Sequence, residues 1–195
     1  MKKYLSFLWI MFAILILPQV VSEKLYAFIY EGSEYQIVSS GGVSWDAANT
    51  AAQALGIGWH LAVITSAAEN AAVTTNLPSG IEYWLGGYQY PYAETVANAN
   101  WQWVTNEAWG YTNWLNNEPN DYYGAGSEQY LTMSARPTDE TWIKGMWNDG
   151  GTSSSYLPGN ISGYIAERSV PEPATMLLLV LGLVGLGELG RRLCN

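Results

Sequence analysis

Long polar loops fill the middle of this 195-residue chain, between Trp101 and Asp149, and they limit the folds that the chain can adopt. Six of the ten tryptophans lie in this stretch. Loops of this length in a compact domain are usually functional or disordered, and the density of tryptophan favours order. We therefore expect an ordered region whose loops carry the function.

Regular elements are predicted on both sides of these loops. Tyr35 to Ser40 alternates like a strand, and Ser44 caps an alanine-rich helix. Ser66 and Glu69 form a capping box at the start of a second helix. Helices precede most strands, so the chain is predicted to be α+β with one domain of its own core. Short aromatic strands are predicted over residues 83–85, 101–104, 128–133, 142–147 and 163–167.

Charge and reactive side chains narrow the possible functions. Eight Lys and Arg stand against seventeen Asp and Glu, and the body holds only Arg136, Lys144 and Arg168. Such a surface repels polyphosphates and attracts cations, so we expect no nucleic-acid partner. His60 is the single histidine and Cys194 the single cysteine, which removes most nucleophile and base chemistry. We expect that the protein is not an enzyme.

The first residues have the layout of a secretory signal peptide. Two lysines precede an apolar run from Tyr4 to Leu17, and small residues end at Ser22. We predict a signal peptide over residues 1–22, with 1–27 as the alternative. A membrane anchor is the remaining interpretation, although about 14 apolar residues span only about 21 Å of a hydrocarbon core about 30 Å thick.

The other end carries Pro171, Glu172 and Pro173, then an uncharged apolar stretch, then two arginines. This order resembles the PEP-CTERM sorting signal of Gram-negative bacteria. The resemblance implies that residues 170–195 anchor the chain transiently in the inner membrane, that an exosortase cuts there, and that the protein reaches the cell surface or extracellular matrix. A plain C-terminal anchor is the alternative. Without the tail, the body over residues 28–169 has no cysteine and no disulfide.

Oxygen-bearing side chains are concentrated in the central loops. Residues Asn116 to Asp121, then Glu128, then Asn148 and Asp149 offer carboxylate and amide oxygens. Ca2+ prefers such hard donors at about 2.3–2.6 Å. Pro119 would turn its two neighbours toward one point, most simply with a cis bond before it. The pattern predicts a calcium site, and the alternative is an Asn- and Asp-rich turn without an ion.

The order of these motifs resembles a C-type lectin domain. The resemblance implies the C-type lectin-like fold, with two helices packed on irregular antiparallel sheets, a long loop region and, in this chain, no disulfides. Three of the family's four usual cysteine positions hold Ala52, Tyr130 and Ala166, and the fourth falls near Thr152, so packing has to compensate. The segments that carry the resemblance are Trp45, Gly58–Ala62, Ser66–Asn70, Trp84–Gly87, Trp101–Trp103, Glu118–Asn120, Glu128 and Trp147–Asp149.

The resemblance also implies a role for each loop residue. In the family, a Glu-Pro-Asn motif goes with sugars that have equatorial 3- and 4-hydroxyls, such as mannose, glucose or N-acetylglucosamine. Tyr122 and Tyr123 are predicted to stack on the sugar. Glu69 and Asp121 would form an auxiliary calcium site, although the capping box explains Glu69 as well. The principal Ca2+ ligands would be Glu118, Asn120, Glu128, Asn148 and Asp149, of which the first four also contact the sugar.

Three functions remain open at this point. The first is an exported protein that binds extracellular polysaccharide through calcium. The second is a matrix or adhesion protein in which calcium only orders loops and the partner is protein. The third is a glycan-acting enzyme that uses Glu118 and Glu128 as acid and base. The amides around these two residues argue against the raised pKa that an acid catalyst needs, so the enzyme is disfavoured.

Overall fold

The computed structural model describes residues 25–139, 141–151 and 156–171, and within them the chain forms eight strands and three helices. No helix in these ranges is long and apolar enough to cross a membrane. The predicted signal peptide and nearly all of the predicted tail lie outside them. In chain order the elements are β1 (Leu25–Tyr30), β2 (Ser33–Ser39), α1 (Trp45–Ala54), β3 (His60–Leu61), α2 (Ala67–Asn76), β4 (Glu82–Gln89), β5 (Trp101–Trp103), β6 (Tyr130–Ser134), β7 (Trp147–Gly150), α3 (Leu157–Asn160) and β8 (Ile161–Ser169).

All eight strands belong to one sheet with the order β1-β2-β8-β4-β6-β7, in which β3 pairs with β8 and β5 pairs with β4. The α+β class is as predicted. Most pairs are antiparallel, but β4 and β8 run parallel, so the sheet is mixed where we expected only antiparallel pairing. These two strands are far apart in the sequence and leave no local signal of their pairing. The last strand, β8, lies between β2 and β4 in the sheet.

Serine caps begin both of the longer helices, as predicted. The hydroxyl of Ser44 accepts a hydrogen bond from Ala47 N at 3.3 Å, and that of Ser66 accepts one from Glu69 N at 3.2 Å. The predicted capping box is different in one detail. The Glu69 carboxylate accepts from Thr65 N, at 2.7 Å, rather than from the backbone of the cap residue.

The predicted strand over residues 142–147 is wrong, because only Trp147 belongs to β7. The segment before it is a loop with turns. Asp139 Oδ1 accepts hydrogen bonds from the backbone N of Thr141 and of Trp142, each at 2.7 Å. A side chain that satisfies two successive backbone donors competes with strand pairing. The other aromatic strands and the Tyr35–Ser40 strand lie within or overlap the observed β2, β4, β5, β6 and β8.

The first strand begins ahead of the predicted domain boundary at residue 28. In β1, Leu25 lies opposite Val38 and Ala27 opposite Gln36. Cleavage after Ala27 would remove half of this strand, whereas cleavage after Ser22 would keep all of it. Both cleavage sites remain predictions.

Close packing joins α1 to β8 at the positions where the family has cysteines. Ala52 of α1 and Ala166 of β8 are both fully buried in one apolar cluster, together with Trp45 and Trp84. Tyr130 stacks on Trp45, with 4.8 Å between the ring centroids. Burial of apolar surface is worth about 25 cal/mol per Å². Hydrophobic contact thus holds the two elements together without a covalent link.

A cluster of five tryptophans orders the central loops. Their ring centroids lie between 4.5 and 6.3 Å apart in successive contacts, and aromatic pairs of this kind contribute about 0.5–1.5 kcal/mol beyond burial. The loop residues that the structure describes are packed, as the tryptophan content predicted. The five rings belong to Trp101, Trp103, Trp109, Trp114 and Trp147.

Candidate functional site

Backbone pairing holds the Glu-Pro-Asn loop against β7. Leu115 N donates to Trp147 O at 2.8 Å, which places the chain before the loop alongside this strand. Asp149 Oδ2 then accepts hydrogen bonds from Asn120 N at 3.0 Å and from Asp121 N at 2.8 Å. A carboxylate that accepts two backbone donors fixes the position of both peptide units. The loop is therefore tied to the sheet at two points.

Asp121 closes the loop that carries Glu128. Its Oδ1 accepts from Glu128 N at 3.0 Å and its Oδ2 accepts from Gly126 N at 2.9 Å. Gly126 has a φ of 77°, and a Cβ there would lie 3.3 Å from Ala93 O, so a glycine is required at this position. The Glu128 carboxylate accepts from Tyr122 N at 2.6 Å. The loop thus places Glu128 beside the Glu-Pro-Asn segment.

One cavity of about 380 Å³ collects most of the predicted site residues. The Glu118–Pro119 peptide bond in its wall is cis, as predicted. Asp149, the fifth predicted ligand, is fully buried behind this wall. Both predicted sugar-stacking tyrosines are largely exposed at the cavity. The six predicted residues that line it are Glu118, Asn120, Tyr122, Tyr123, Glu128 and Asn148.

Three predicted calcium ligands, Glu118, Glu128 and Asp149, have raised pKa values. Burial and the neighbouring Asp149 carboxyl raise the pKa of Glu118 to about 8. Burial and the charge of Asp149 raise the pKa of Glu128 to about 8 as well, and burial raises the pKa of Asp149. The expectation that surrounding amides would keep these values low is wrong, because removal from water outweighs the amide contacts.

Two buried carboxylate oxygens at this site have no hydrogen-bond partner among the residues that the structure describes. They are Glu118 Oε2 and Asp149 Oδ1. A buried acceptor without a donor costs about 1–3 kcal/mol, and more when it is charged. The two carboxyls stand within hydrogen-bonding reach of each other. Since both are acceptors when ionised, a proton or a cation is needed between them.

The positions of the predicted ligand side chains show how well a cation would fit at this site. In the described ranges, no three Asp, Glu, His or Cys side chains are placed together so that they could hold a metal ion. Glu128 is turned toward Tyr122 N, and one oxygen of Asp149 is used by the loop backbone. The other predicted donors are the amides of Asn120 and Asn148, which suit calcium. The donor chemistry fits a hard cation, provided that the Glu128 carboxylate turns toward it.

Glu82, the first residue of β4, is a site residue that the sequence analysis missed. It is 1% exposed, lines the cavity and accepts hydrogen bonds from Tyr156 Oη at 2.6 Å and Thr132 Oγ1 at 2.9 Å. Arg136 Nη2 lies 3.2 Å from its other oxygen, and Asn148 Nδ2 lies 3.4 Å from Oε2. These partners are 50 to 74 residues away in sequence. The only sequence signal was a glutamate next to an apolar strand.

The structure does not bring together the two residues predicted for an auxiliary calcium site. Glu69 lines a separate cavity of about 230 Å³, where it contacts Tyr35 and Thr65. Both carboxylate oxygens of Asp121 accept hydrogen bonds from backbone N–H groups of the 121–128 loop. Each residue thus has a structural role at its own place in the fold.

Comparison with known proteins identifies the fold and the tail. Residues 169–192 match the family model of the PEP-CTERM protein-sorting motif. Similar solved structures include the C-type carbohydrate-recognition domain of cow CD23, with 20% identity over 75% of this chain and 95% of that one and a TM-score of 0.57. The C-type lectin CEL-I from Cucumaria echinata is 18% identical over 75% and 96%, with a TM-score of 0.57. This chain has the C-type lectin-like fold. No curated protein matches its sequence significantly.

A third similar structure separates this fold from calcium. It is a calcium-independent type II antifreeze protein, 21% identical over 77% of this chain and 99% of that one, with a TM-score of 0.55. The C-type lectin-like fold therefore does not by itself imply a bound ion, and calcium has to be argued from this chain's own residues. The sorting motif indicates export. Of its three predicted key residues, Pro171 is described, and Glu172 and Pro173 lie outside the described ranges.

Proposed function

We propose that this chain is an exported calcium-dependent carbohydrate-binding protein that recognises vicinal equatorial hydroxyls of mannose, glucose or N-acetylglucosamine. The observation that supports it best is the pair of buried, unpartnered oxygens, Glu118 Oε2 and Asp149 Oδ1, beside a cavity lined by the other predicted ligands. These oxygens need a proton or a cation between them, and the adjoining cavity, lined by amide groups that suit calcium, favours the cation. When bound, Ca2+ would supply the missing positive charge and open coordination positions for two hydroxyls.

The chain's own residues would fix the sugar's orientation. Amide groups of Asn120 and Asn148 can donate hydrogen bonds to hydroxyl oxygens, and the carboxylates of Glu118 and Glu128 can accept from hydroxyl hydrogens. All four line the same cavity. Each of two neighbouring hydroxyls then meets one acid and one amide, so the order of acid and amide along the chain selects the sugar configuration.

Two exposed tyrosines add an apolar surface at the mouth of the cavity. Tyr122 is 78% exposed and Tyr123 is 57% exposed, and both line the cavity. The edge of one ring meets the face of the other, with centroids 5.2 Å apart, and Tyr123 also contacts the buried ring of Tyr156. Rigid aromatic rings offer contact area at a low entropic cost. They are therefore suited to pack against the apolar face of a pyranose.

Export and location follow from the two ends of the chain. The N-terminal apolar segment would direct secretion, and the PEP-CTERM motif over residues 169–192 would hold the protein in the inner membrane until an exosortase processes it. The protein would then reside at the surface of a Gram-negative bacterium or in its extracellular matrix. Exopolysaccharide is the ligand available in that place.

Calorimetry can test this function directly. The full-length chain in mild detergent is titrated with CaCl2 and then with N-acetylglucosamine, mannose and galactose. We expect calcium binding, then binding of the first two sugars only in its presence, and loss of both signals with a chelator. Galactose is the matched control, because its 4-hydroxyl is axial. Full sugar binding after removal of calcium would contradict the proposal.

A double variant separates this function from an adhesion protein whose calcium only orders loops. Glu118→Gln with Asn120→Asp exchanges the acid and the amide while it preserves the total charge. We expect calcium binding to persist and sugar preference to move toward galactose, since the donor directions reverse. If the partner is a protein, neither form of the chain binds a monosaccharide and the exchange changes no sugar preference.

We propose no catalytic role for Glu118 and Glu128. General acid and base roles require two carboxyls whose environments push their pKa values apart. Here both pKa values are raised to about 8. The pair therefore lacks the division into a protonated acid and an ionised base. Turnover of a polysaccharide by calcium-free protein would contradict this assignment.

A further inference from the structure

The cavity extends beyond the residues that would hold an ion and one sugar. Its volume of about 380 Å³ lies in the range of about 300–1,000 Å³ that small-molecule sites occupy. Besides the predicted ligands, its lining includes Glu82, Asn160 at the end of α3 and Trp142 in the loop before β7. Neither Trp142 nor Asn160 is among the binding residues predicted from the sequence.

Trp142 is held in place from two sides. Its backbone N donates to Asp139 Oδ1 at 2.7 Å, and its backbone O accepts from Asp139 N at 2.8 Å. The guanidinium carbon of Arg136 lies 4.1 Å from the centroid of the indole ring. The ring borders the cavity and is partly exposed. A fixed aromatic ring loses little freedom when it meets a ligand.

Arg136 connects this ring to polar groups in the cavity. Its Nη2 donates to Glu82 Oε1 and to Asn160 Oδ1, each at 3.2 Å. Since Asn160 Oδ1 faces the guanidinium, the amide nitrogen is the donor that this side chain can offer to a ligand. An aromatic face beside amide donors and acceptors matches the two kinds of surface that a sugar ring presents. The local charges of Glu82 and Arg136 cancel.

We propose that Trp142 and Asn160 form a second sugar subsite, continuous with the calcium-dependent one, so that the protein recognises a segment of at least two neutral sugar residues. This inference rests on the proposed function, because the first sugar is placed by the calcium site. The indole packs against one pyranose face, and the Asn160 amide meets its hydroxyls.

Charge favours a neutral saccharide over one that contains uronic acid. The principal site would set three carboxylates, Glu118, Glu128 and Asp149, against the two positive charges of calcium. The second subsite adds a cancelled pair, and the whole chain has a net charge of -9. An anionic sugar residue would therefore be repelled by the excess carboxylate at the principal site and by the net charge of the chain, most strongly at low ionic strength, and the second subsite offers no net positive charge to offset this.

The experiment compares chain length in the wild-type protein and in Trp142→Ala, with CaCl2 present throughout. Mannose, glucose and N-acetylglucosamine are each titrated as the monosaccharide, the disaccharide and the trisaccharide, and a uronate disaccharide is titrated beside them. We expect the wild-type protein to bind at least one disaccharide about tenfold more tightly than the corresponding monosaccharide, which is equivalent to about 1.4 kcal/mol. Trp142→Ala should lose this gain and keep its calcium and monosaccharide affinities. Trp142→Phe should retain part of the gain.

Ile143→Ala is the matched control, because this neighbouring side chain is partly exposed but does not line the cavity. It should keep the full gain with chain length. The inference fails if monosaccharides bind with calcium and no disaccharide binds more tightly, or if Trp142→Ala keeps the gain. It also fails if a uronate disaccharide binds more tightly than the neutral ones. A chain that binds no saccharide at all would instead refute the proposed function.

Discussion

Two groups of buried carboxylates differ in how their oxygens are satisfied. In the first, which we call the tyrosine-bridged pair, Glu69 and Glu167 both accept from the Tyr35 hydroxyl, at 2.6 and 3.2 Å. Their second oxygens accept from Thr65 N at 2.7 Å and Val63 N at 3.0 Å. Each oxygen of this pair therefore lies within hydrogen-bonding distance of a donor, and the two Oε1 atoms share the single hydrogen of the Tyr35 hydroxyl.

The second group consists of the loop carboxylates Glu118, Glu128 and Asp149, and it has fewer hydrogen-bond donors than carboxylate oxygens. Within the described part of the chain, Glu118 and Asp149 each retain one buried oxygen without a hydrogen-bond partner. Both groups are acidic and lie beside a cavity, so acidity and shape do not distinguish them. The two groups differ in whether their oxygens accept hydrogen bonds. A carboxylate with donors on its oxygens is stabilised little by a cation, whereas a carboxylate that lacks a donor is stabilised strongly. The first group serves the fold and the second is suited to a ligand.

The largest expected effect comes from Asp149→Asn. This change keeps the shape of the side chain but removes one charge from the loop carboxylates. We expect calcium affinity, measured by calorimetry, to fall about 100-fold, since affinity depends strongly on the charge of the ligand set. Glu167→Gln is the matched control, because it removes a similarly buried charge from the tyrosine-bridged pair. It should leave calcium affinity within about twofold. Equal losses in the two variants would show that the groups do not differ.

Tyr35→Phe tests the other group. It removes the hydroxyl that donates to both Glu69 and Glu167, while it keeps the ring that stacks on Phe28 at a centroid distance of 4.9 Å. We expect the free energy of unfolding to fall by about 1–3 kcal/mol, because two buried carboxylates lose a donor. Chemical denaturation measures this change. Calcium affinity should stay the same, and a large change in it would break the distinction between the groups.

The next smaller effect is the pH dependence of calcium affinity, which arises because calcium binding releases protons. Since the pKa values of Glu118 and Glu128 are raised to about 8, calcium has to displace protons at neutral pH. We expect affinity to rise about tenfold between pH 7 and pH 8, and titrations in buffers of different ionisation enthalpy to show protons leaving. An affinity that does not depend on pH in this window would mean that these carboxyls are already ionised.

The same shifts set the sign of the pH dependence of stability without calcium. A carboxyl whose folded pKa lies above its unfolded value of about 4.3 stabilises the fold fully below that value. This contribution is lost as pH rises through about 8. The calcium-free protein should therefore become less stable between pH 5 and pH 8. Saturating calcium should reverse most of this loss, because its charge compensates the ionised carboxylates.

The sequence predicted what depends on local patterns. Ser44 and Ser66 mark both helix starts, and the tryptophans mark an ordered loop region. The Glu-Pro-Asn and Trp-Asn-Asp motifs carry the resemblance to the C-type lectin-like fold. Their spacing also pointed to residues that the fold gathers around one cavity, although nothing in a motif shows which oxygens will lack a donor.

The sequence could not predict what depends on distant pairing. The parallel pair β4 and β8 forms between segments about 80 residues apart, as Tyr83 lies opposite Gly163. Glu82 becomes part of the site only because β6, β7 and α3 surround it. The aromatic pattern around Trp142 predicts a strand, but the side chain of Asp139 accepts from the Trp142 backbone and holds this residue in a turn.

Glu82→Gln has the smallest expected effect on calcium and gives the sharpest test of the comparison. Glu82 lines the same cavity as the loop carboxylates, yet its oxygens accept from Tyr156, Thr132 and Arg136. If position beside the cavity decides, the variant should lose as much calcium affinity as Asp149→Asn. If unsatisfied oxygens decide, it should lose about threefold, through weaker placement of Asn148, and mainly lower the stability of the fold. We expect the second result, since a carboxylate with donors on both oxygens has little to gain from an ion.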